Sequence, residues 1–126
     1  MKRKGRPVMD ASAVLALIQE EPGAKVLMPL LADAAISSVN VAEVLAKLVR
    51  DGMPLGEALT ALRALHLKEV AFEPGHAERS AAYVAKGVSL GDRCFLAAAA
   101  SLGEGWTGDR ELAQLVDLAP PLRYFR

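Results

Sequence analysis

Short apolar segments that suit β-strands alternate with longer helical patterns along this chain of 126 residues. We expect strands at 8–9, 34–37, 69–72 and 106–107, with one or two helices between successive strands, and an irregular tail from Pro120 onwards. Strands joined through helices pair in parallel, because the crossover returns the chain to the same side of the sheet. The alternation therefore predicts an α/β fold with three layers around a small parallel sheet.

Composition restricts the class of protein further. Hydrophobic residues make up 52% of the chain and aromatic residues only 5%, so Ala, Leu and Val must build the core of one domain over residues 1–126. The 15 basic and 15 acidic residues balance, so a nucleic-acid-binding face must arise from local arrangement. The single cysteine, Cys94, excludes an internal disulfide, and no apolar stretch reaches the roughly 18 residues of a membrane span. We expect a cytoplasmic protein in which residues 1–7 form a basic arm that is either a flexible start of the chain or a segment that contacts phosphate.

Four acidic residues stand beside apolar segments and span almost the whole chain: Asp10, Glu43, Asp92 and Asp109. Asp10 follows the first expected strand and Asp109 the last, while Glu43 and Asp92 fall in the first turns of expected helices. Ligand sites of parallel α/β sheets lie outside the carboxyl ends of the strands. If the fold gathers the four acids there, their carboxylates suit a hard cation, Mg²⁺ or Mn²⁺, and the chemistry typical of such a site is phosphodiester hydrolysis.

Helix capping is the structural alternative for each of these acids. Asp10 and Asp109 are suited to cap the helices that follow them, and the pairs Asn40 with Glu43 and Ser89 with Asp92 have the spacing of a capping box. Capping does not require an acid to be flanked by apolar residues on both sides. Unpaired acids that cluster would also repel one another, and a bound cation would relieve that repulsion.

Together the four acidic segments resemble the motifs of PIN-domain ribonucleases, and most closely those of the VapC toxins of bacterial toxin–antitoxin pairs. The first segment reads VMDASAVL at 8–15, the second SSVNVAEV at 37–44, the third SLGDR at 89–93 followed by an alanine-rich run, and the fourth WTGDR at 106–110. Their order and spacing agree with the family over nearly the full chain. The resemblance implies an α/β/α sandwich with four or five parallel strands.

The resemblance also implies a metal-dependent endoribonuclease that acts on RNA with Mg²⁺ or Mn²⁺, forms a homodimer and is inhibited by a cognate antitoxin. It implies metal-binding and catalytic roles for the four acids, Asp10, Glu43, Asp92 and Asp109. Ser12 and Thr107 match positions that assist through hydrogen bonds or water. Arg93 and Arg110 each follow a proposed ligand and either contact substrate phosphate, hold the acids, or are solvated. An apolar stripe of leucines is a candidate dimer interface, with ordinary core as the alternative: Leu55, Leu59, Leu62 and Leu65.

Three other functions stay open at this point. A housekeeping PIN-type nuclease would carry the same acids without a toxin role. A phosphotransfer domain also gathers aspartates at strand ends, but the chain has no acid beside Asp10 and no lysine after Lys86. A non-catalytic interaction module whose acids are only helix caps would bind no Mg²⁺ or Mn²⁺ through Asp10 and Asp92.

Overall fold

A computed structural model describes residues 5–126 of the chain and shows a five-stranded sheet. All strand pairs are parallel and the strand order is β3-β2-β1-β4-β5. The strands are β1 (Arg6–Met9), β2 (Ala35–Ser37), β3 (Lys68–Val70), β4 (Gly103–Thr107) and β5 (Leu122–Tyr124). The predicted α/β fold with a parallel sheet of four or five strands is confirmed.

Helices connect the strands and cover the sheet. They are α1 (Ala11–Gln19), α2 (Ala24–Leu27), α3 (Ser38–Arg50), α4 (Leu55–Arg63), α5 (Pro74–Ser80), α6 (Leu90–Leu102) and α7 (Leu112–Leu115), with 3₁₀ turns at Met28–Leu30 and Ala81–Tyr83. Side chains of the first four helices pack in one buried cluster, and those of α6 and α7 pack in a second. None of the helices within residues 5–126 has both the length and the apolar character needed to cross a membrane.

The two buried clusters lie on opposite faces of the sheet. Met9 belongs to the cluster of α1 to α4, and its neighbour Val8 belongs to the cluster of α6, because successive residues of a strand point to opposite faces. Both side chains are completely buried, as is Phe95 in the second cluster. The sheet is therefore covered on both sides, and the three-layer arrangement follows.

Two local predictions were wrong. Arg6 and Pro7, assigned to the basic arm, belong to β1 and pair with Gly103 and Glu104 of β4, while residues 1–4 of that arm lie outside the described residues. The tail after Pro120, predicted to be irregular, forms β5 beside β4. Both strands are short and carry Arg or Pro, so neither gives the apolar signal on which strand prediction depends.

The leucine stripe of α4 belongs mostly to the core. Leu62 and Leu65 pack against the first buried cluster. Ala58, one turn before Leu62, is fully buried. Leu55, at the beginning of the helix, is 55% exposed. The C-terminal half of the stripe is therefore ordinary core, as the alternative to a dimer interface predicted. Only a small part of the stripe is exposed.

Candidate functional site

Two neighbouring strands bring Asp10 and Thr107 together at the carboxyl edge of the sheet. β1 and β4 are paired in a register that sets Met9 opposite Trp106, so the next residues, Asp10 and Thr107, also lie side by side. The Thr107 hydroxyl donates a hydrogen bond of 2.5 Å to Asp10 Oδ2. Both side chains are buried, Thr107 completely and Asp10 to 8% exposure. The first acidic motif and the fourth therefore meet through a buried hydrogen bond.

Hydroxyl and backbone groups surround the Asp10 carboxylate and connect it to the Asp109 loop. Ser12 Oγ donates to Asp10 Oδ1 over 2.6 Å, and the Ala13 amide donates to the same oxygen over 2.9 Å. The Gly108 amide donates to Ser12 Oγ, and the Asp109 amide donates to Thr107 Oγ1, each over 3.0 Å. Ser12 and Thr107 therefore hold the Asp10 carboxylate and the backbone of the Asp109 loop in one network.

The electrostatic state of Asp10 is unusual for a carboxyl group. Its pKa is raised to about 6 from an ordinary value near 4, chiefly because the carboxyl group is buried and to a smaller extent because of the nearby negative charge of Asp92. Hydrogen bonds from Ser12, Thr107 and the Ala13 amide lower the pKa and offset part of the burial effect. No ion pair joins Asp10 to a cationic side chain within residues 5–126. The carboxylate therefore lies in a place that favours its neutral form unless a cation is supplied.

Glu43 and Asp92 lie where the N-terminal ends of α3 and α6 meet. The buried Asn40 amide donates to Glu43 Oε1 over 2.7 Å and to the Gly91 carbonyl over 3.1 Å. The Glu43 carboxylate packs so closely on Gly91 that a methyl group built there would overlap it. Gly91 immediately precedes Asp92 in the first turn of α6. Glu43 is therefore held beside the acid of the third motif.

Capping and clustering occur together at two of the four acids. Asp10 is the N-cap of α1, and Asp92 forms a capping box with Ser89 at the start of α6, as the structural alternative predicted. Asn40 and Glu43 do not form a capping box, because α3 begins earlier, with Ser37 as its N-cap. Capping therefore accounts for the local conformation at Asp10 and Asp92, while the burial of Asp10 and its proximity to Asp92 need another explanation.

Asp109 is the most exposed of the four acids. Its Oδ1 accepts a hydrogen bond of 3.0 Å from the Glu111 amide in the turn before α7, whose N-cap is Glu111. Its connection to Asp10 runs through its own backbone amide and Thr107, not through its carboxylate. Within residues 5–126, no three His, Cys, Asp or Glu side chains are arranged as ligands of one ion. The acids therefore lie on neighbouring elements at the same end of the sheet, but their carboxylates do not surround one common ion position.

The donor set nevertheless fits a hard divalent cation. It consists of carboxylates with hydroxyl groups beside them, which are oxygen ligands of the kind that Mg²⁺ and Mn²⁺ prefer. The fit is supported by the buried Asp10 carboxylate, which has a negative neighbour in Asp92 and no cationic partner among the described residues. That Asp10, Glu43, Asp92 and Asp109 are the ligands stays a prediction from the sequence.

The arginines predicted to support the site do not pair with its acids. Arg93 Nη1 donates to the Val88 carbonyl over 3.5 Å, and the exposed Arg110 guanidinium lies 5.6 Å from the centre of the Tyr124 ring. A third arginine that the sequence did not single out, Arg126, has its guanidinium against Gly108, beside Asp109. The role of holding the acids therefore falls to Ser12, Thr107 and the uncharged Asn40 rather than to an arginine.

Comparisons with known proteins agree with this architecture. The chain matches the PIN domain family over residues 8–117, which is well over half of its length. A search among curated proteins finds no significant match. Solved structures with a similar fold include VapBC2 from Rickettsia felis bound to a promoter DNA fragment, with a TM-score of 0.72 and 14% identity over 94% of this chain and 97% of that one.

Two further complexes are similar in fold. DNA-bound VapBC from Salmonella typhimurium has a TM-score of 0.74 and 12% identity, with coverage of 96% of this chain and 98% of that one. A toxin–antitoxin complex from Klebsiella pneumoniae has a TM-score of 0.62 and 24% identity, with coverage of 82% and 86%. The sheet order, the acids at its carboxyl edge and the family match over residues 8–117 lead to one conclusion: the chain belongs to the PIN domain family.

Proposed function

We propose that this protein is a metal-dependent endoribonuclease that hydrolyses phosphodiester bonds of RNA. The PIN family consists of nucleases, so nucleic-acid cleavage is the activity that membership implies. The observation that carries the proposal is the buried Asp10 carboxylate, which lacks a cationic partner among the described residues and is tied to the Asp109 loop. A folded protein tolerates a buried, unpaired carboxylate at a cost, and a functional site is a common reason for that cost.

The residues around Asp10 have distinct parts in the proposed mechanism. Asp10, Glu43, Asp92 and Asp109 would hold a divalent cation, which when bound would lower the pKa of a water molecule and offset negative charge on the scissile phosphate. Ser12 and Thr107 hold both oxygens of Asp10 in fixed positions. The protein offers no Ser–His or Cys–His pair within residues 5–126 for a covalent intermediate, and direct attack of water needs none.

The choice of RNA as substrate is tested with matched oligonucleotides. Single-stranded RNA and single-stranded DNA of one sequence are incubated with the purified protein and Mg²⁺ or Mn²⁺, and cleavage products are resolved by length. We expect internal cleavage of RNA and at least about tenfold slower cleavage of DNA, because a protein that contacts the 2′-hydroxyl distinguishes the two.

The control for this assay is the Asp92→Asn variant, purified in the same way. Its inactivity excludes a contaminating ribonuclease as the source of the products. Equal cleavage of RNA and DNA would replace the endoribonuclease proposal with a general nuclease, and cleavage by the Asp92→Asn variant at the wild-type rate would remove the nuclease assignment from this site.

We further propose that the protein is the toxin of a toxin–antitoxin pair and that a cognate antitoxin binds it. The proposal is supported by the fold similarity to VapBC and other toxin–antitoxin complexes. A groove of about 740 Å³, lined by α1, α2 and Leu65, offers an apolar surface for a partner helix, with Val26 and Met28 at least half exposed. An antitoxin arginine that enters the acidic site would pair with its carboxylates in place of the cation.

Coexpression with any small protein encoded next to its gene tests the toxin proposal. We expect the two to copurify as a tight complex without ribonuclease activity, and we expect Met28→Glu to weaken the complex about tenfold or more, because it buries a charge in the groove. The matched control is Leu118→Glu, since Leu118 is 96% exposed and lies outside the groove. If cells tolerate the active protein at high expression and no protein encoded nearby binds it, it would instead be a housekeeping PIN nuclease.

A further inference from the structure

Asn40 occupies a buried position between two helices that each carry a proposed metal ligand. Its side chain is 1% exposed. The amide nitrogen donates to Glu43 Oε1, one turn later on α3, and to the Gly91 carbonyl in the first turn of α6. A primary amide has two N–H donors, so both are used in these contacts. Asn40 therefore links the Glu43 carboxylate directly to the helix of Asp92.

Gly91 completes the contact from the side of α6. A methyl group built on its Cα would overlap the Glu43 carboxylate, so any side chain at this position would push the carboxylate away. Gly56, in the first turn of α4, differs in this respect, because a methyl group there would meet nothing within 4 Å. The glycine at position 91 is thus required for the close approach of α6 to Glu43 rather than for backbone conformation.

Without these two contacts the Glu43 side chain could adopt another orientation. Its side chain borders an open groove of about 510 Å³ that Arg50 and Ser89 also line. A glutamate side chain has several rotatable bonds, so a half-buried carboxylate that is not held in place can turn into the groove toward solvent. The amide of Asn40 and the bare Cα of Gly91 counteract this movement with a charge-assisted hydrogen bond and a close-fitting surface.

We infer that Asn40 and Gly91 are positioning residues that hold the Glu43 carboxylate against the first turn of α6, beside Asp92. The inference rests on the proposed function, in which Glu43 and Asp92 are metal ligands. It extends that function to two uncharged residues that contact neither the proposed ion nor the substrate. Residues that orient a metal ligand through a hydrogen bond typically alter metal affinity when they are replaced.

The experiment compares Asn40→Ala and Gly91→Ala with the wild-type protein and with Gly56→Ala as a matched control. Mn²⁺ affinity is measured by titration with detection of free Mn²⁺ by electron paramagnetic resonance. We expect each variant at the Glu43 contact to bind Mn²⁺ about 10- to 100-fold more weakly, and Gly56→Ala to bind it normally. RNA cleavage at saturating Mn²⁺ should show a lower kcat with an unchanged KM, because the substrate-binding surface is intact.

The Glu43→Ala background separates positioning from general damage to the fold. If Asn40 and Gly91 act through Glu43, adding Asn40→Ala or Gly91→Ala to Glu43→Ala should cause no further loss of Mn²⁺ affinity. Thermal unfolding in excess chelator provides a readout without metal. When Glu43 is present, Gly91→Ala should lower the temperature midpoint of unfolding, because the added methyl group overlaps the carboxylate. When Glu43 is replaced by alanine, the midpoint should stay unchanged or rise, because the methyl group meets no carboxylate and alanine favours the helix.

Each outcome decides the inference. Wild-type Mn²⁺ affinity in Asn40→Ala would overturn it while the proposed function stands, and so would losses in the double variants that add to the loss in Glu43→Ala. A wild-type protein that neither binds Mn²⁺ nor cleaves RNA would overturn the proposed function and this inference with it. If Gly91→Ala alone does not fold, recovery of a folded protein in the Gly91→Ala, Glu43→Ala double variant supports the contact, and failure of the double variant to fold contradicts it.

Discussion

Asp10→Asn is expected to lower RNA cleavage by at least about 10³-fold while it stabilises the metal-free protein at neutral pH. The loss of activity follows because a metal ion supplies several kcal/mol of transition-state stabilisation, and each 1.36 kcal/mol corresponds to a factor of ten in rate. Glu43→Gln, Asp92→Asn and Asp109→Asn should reduce cleavage in the same direction. The measurement is the rate of cleavage of a defined RNA at saturating Mg²⁺.

The gain in stability follows from the pKa of Asp10. Burial and the charge of Asp92 raise this pKa to about 6 in the folded protein, whereas an unfolded chain has an ordinary value near 4. The folded state therefore favours the protonated carboxyl, and its stabilisation is complete below about pH 4 and is lost as the pH rises through about 6. The two values differ by about two pKa units, which correspond to about 3 kcal/mol of destabilisation at neutral pH.

Asparagine removes this titration and keeps the shape of the side chain. Its oxygen can accept the hydrogen bonds of Ser12 and the Ala13 amide, and its nitrogen can donate to Thr107. Denaturant unfolding in chelator at pH 7 should show Asp10→Asn to be more stable than wild type by up to about 3 kcal/mol, with little difference at pH 4.

Asp117→Asn is the matched control, because Asp117 is exposed and makes no hydrogen bond or ion pair within residues 5–126. It should alter neither activity nor the dependence of stability on pH. An Asp10→Asn variant with wild-type cleavage would remove Asp10 from the catalytic site. A variant that is less stable than wild type at pH 7 would mean that Asp10 serves chiefly as the N-cap of α1.

Removal of divalent cations is expected to stop RNA cleavage completely. Excess EDTA should abolish activity, and added Mg²⁺ or Mn²⁺ should restore it, because a bound ion would be needed to lower the pKa of the attacking water. Ca²⁺ should bind but support little cleavage, since its larger and more flexible coordination shell positions water poorly. The rates in EDTA, and after each ion is added back, form the measurement.

The same prediction has a pH component. Protons compete with metal for carboxylates, so metal affinity should fall by about tenfold per pH unit once the pH is below the pKa of Asp10, which is about 6 in the metal-free protein. Titrations at pH 5 and pH 7 should therefore differ in affinity, and the Asp10→Asn variant should show a weaker pH dependence. Cleavage that continues at the full rate in excess EDTA would contradict a metal-dependent mechanism.

The sequence predicted the edge of the sheet at which Asp10 and the Asp109 loop lie together, because that prediction depends only on strand order and direction. Asp10 directly follows β1 and Thr107 is the last residue of β4, so their contact follows from the parallel pairing of these neighbouring strands. The strand β5 was missed because it contains three residues after a Pro-Pro pair and carries Arg123 at its centre. Its position is determined by pairing with β4, a tertiary contact that a local pattern does not contain.

The contact between Asn40, Glu43 and Gly91 could not be predicted from the sequence for a related reason. The spacing of Asn40 and Glu43 matched a capping box, but the helix begins at Ser38 with Ser37 as its cap, so Asn40 lies inside the helix and is free to reach α6. Its partner Gly91 is far away in the chain, and a glycine before a helical acid has no distinctive signal. The four acids, with Ser12 and Thr107, were recognisable from the sequence, whereas the contact of Asn40 and Gly91 with Glu43 needed the fold.

Binding of Mn²⁺ to the four carboxylates tests the central claim most directly. Mn²⁺ is titrated into metal-free wild-type protein and into Asp10→Asn and Asp92→Asn at pH 7, and the free ion is measured by electron paramagnetic resonance. We predict saturable binding to the wild-type protein and at least about tenfold weaker binding to each variant, because each loses a charged oxygen ligand. Equal binding to all three proteins, or no binding to the wild-type protein, would contradict the assignment of these acids to a metal site.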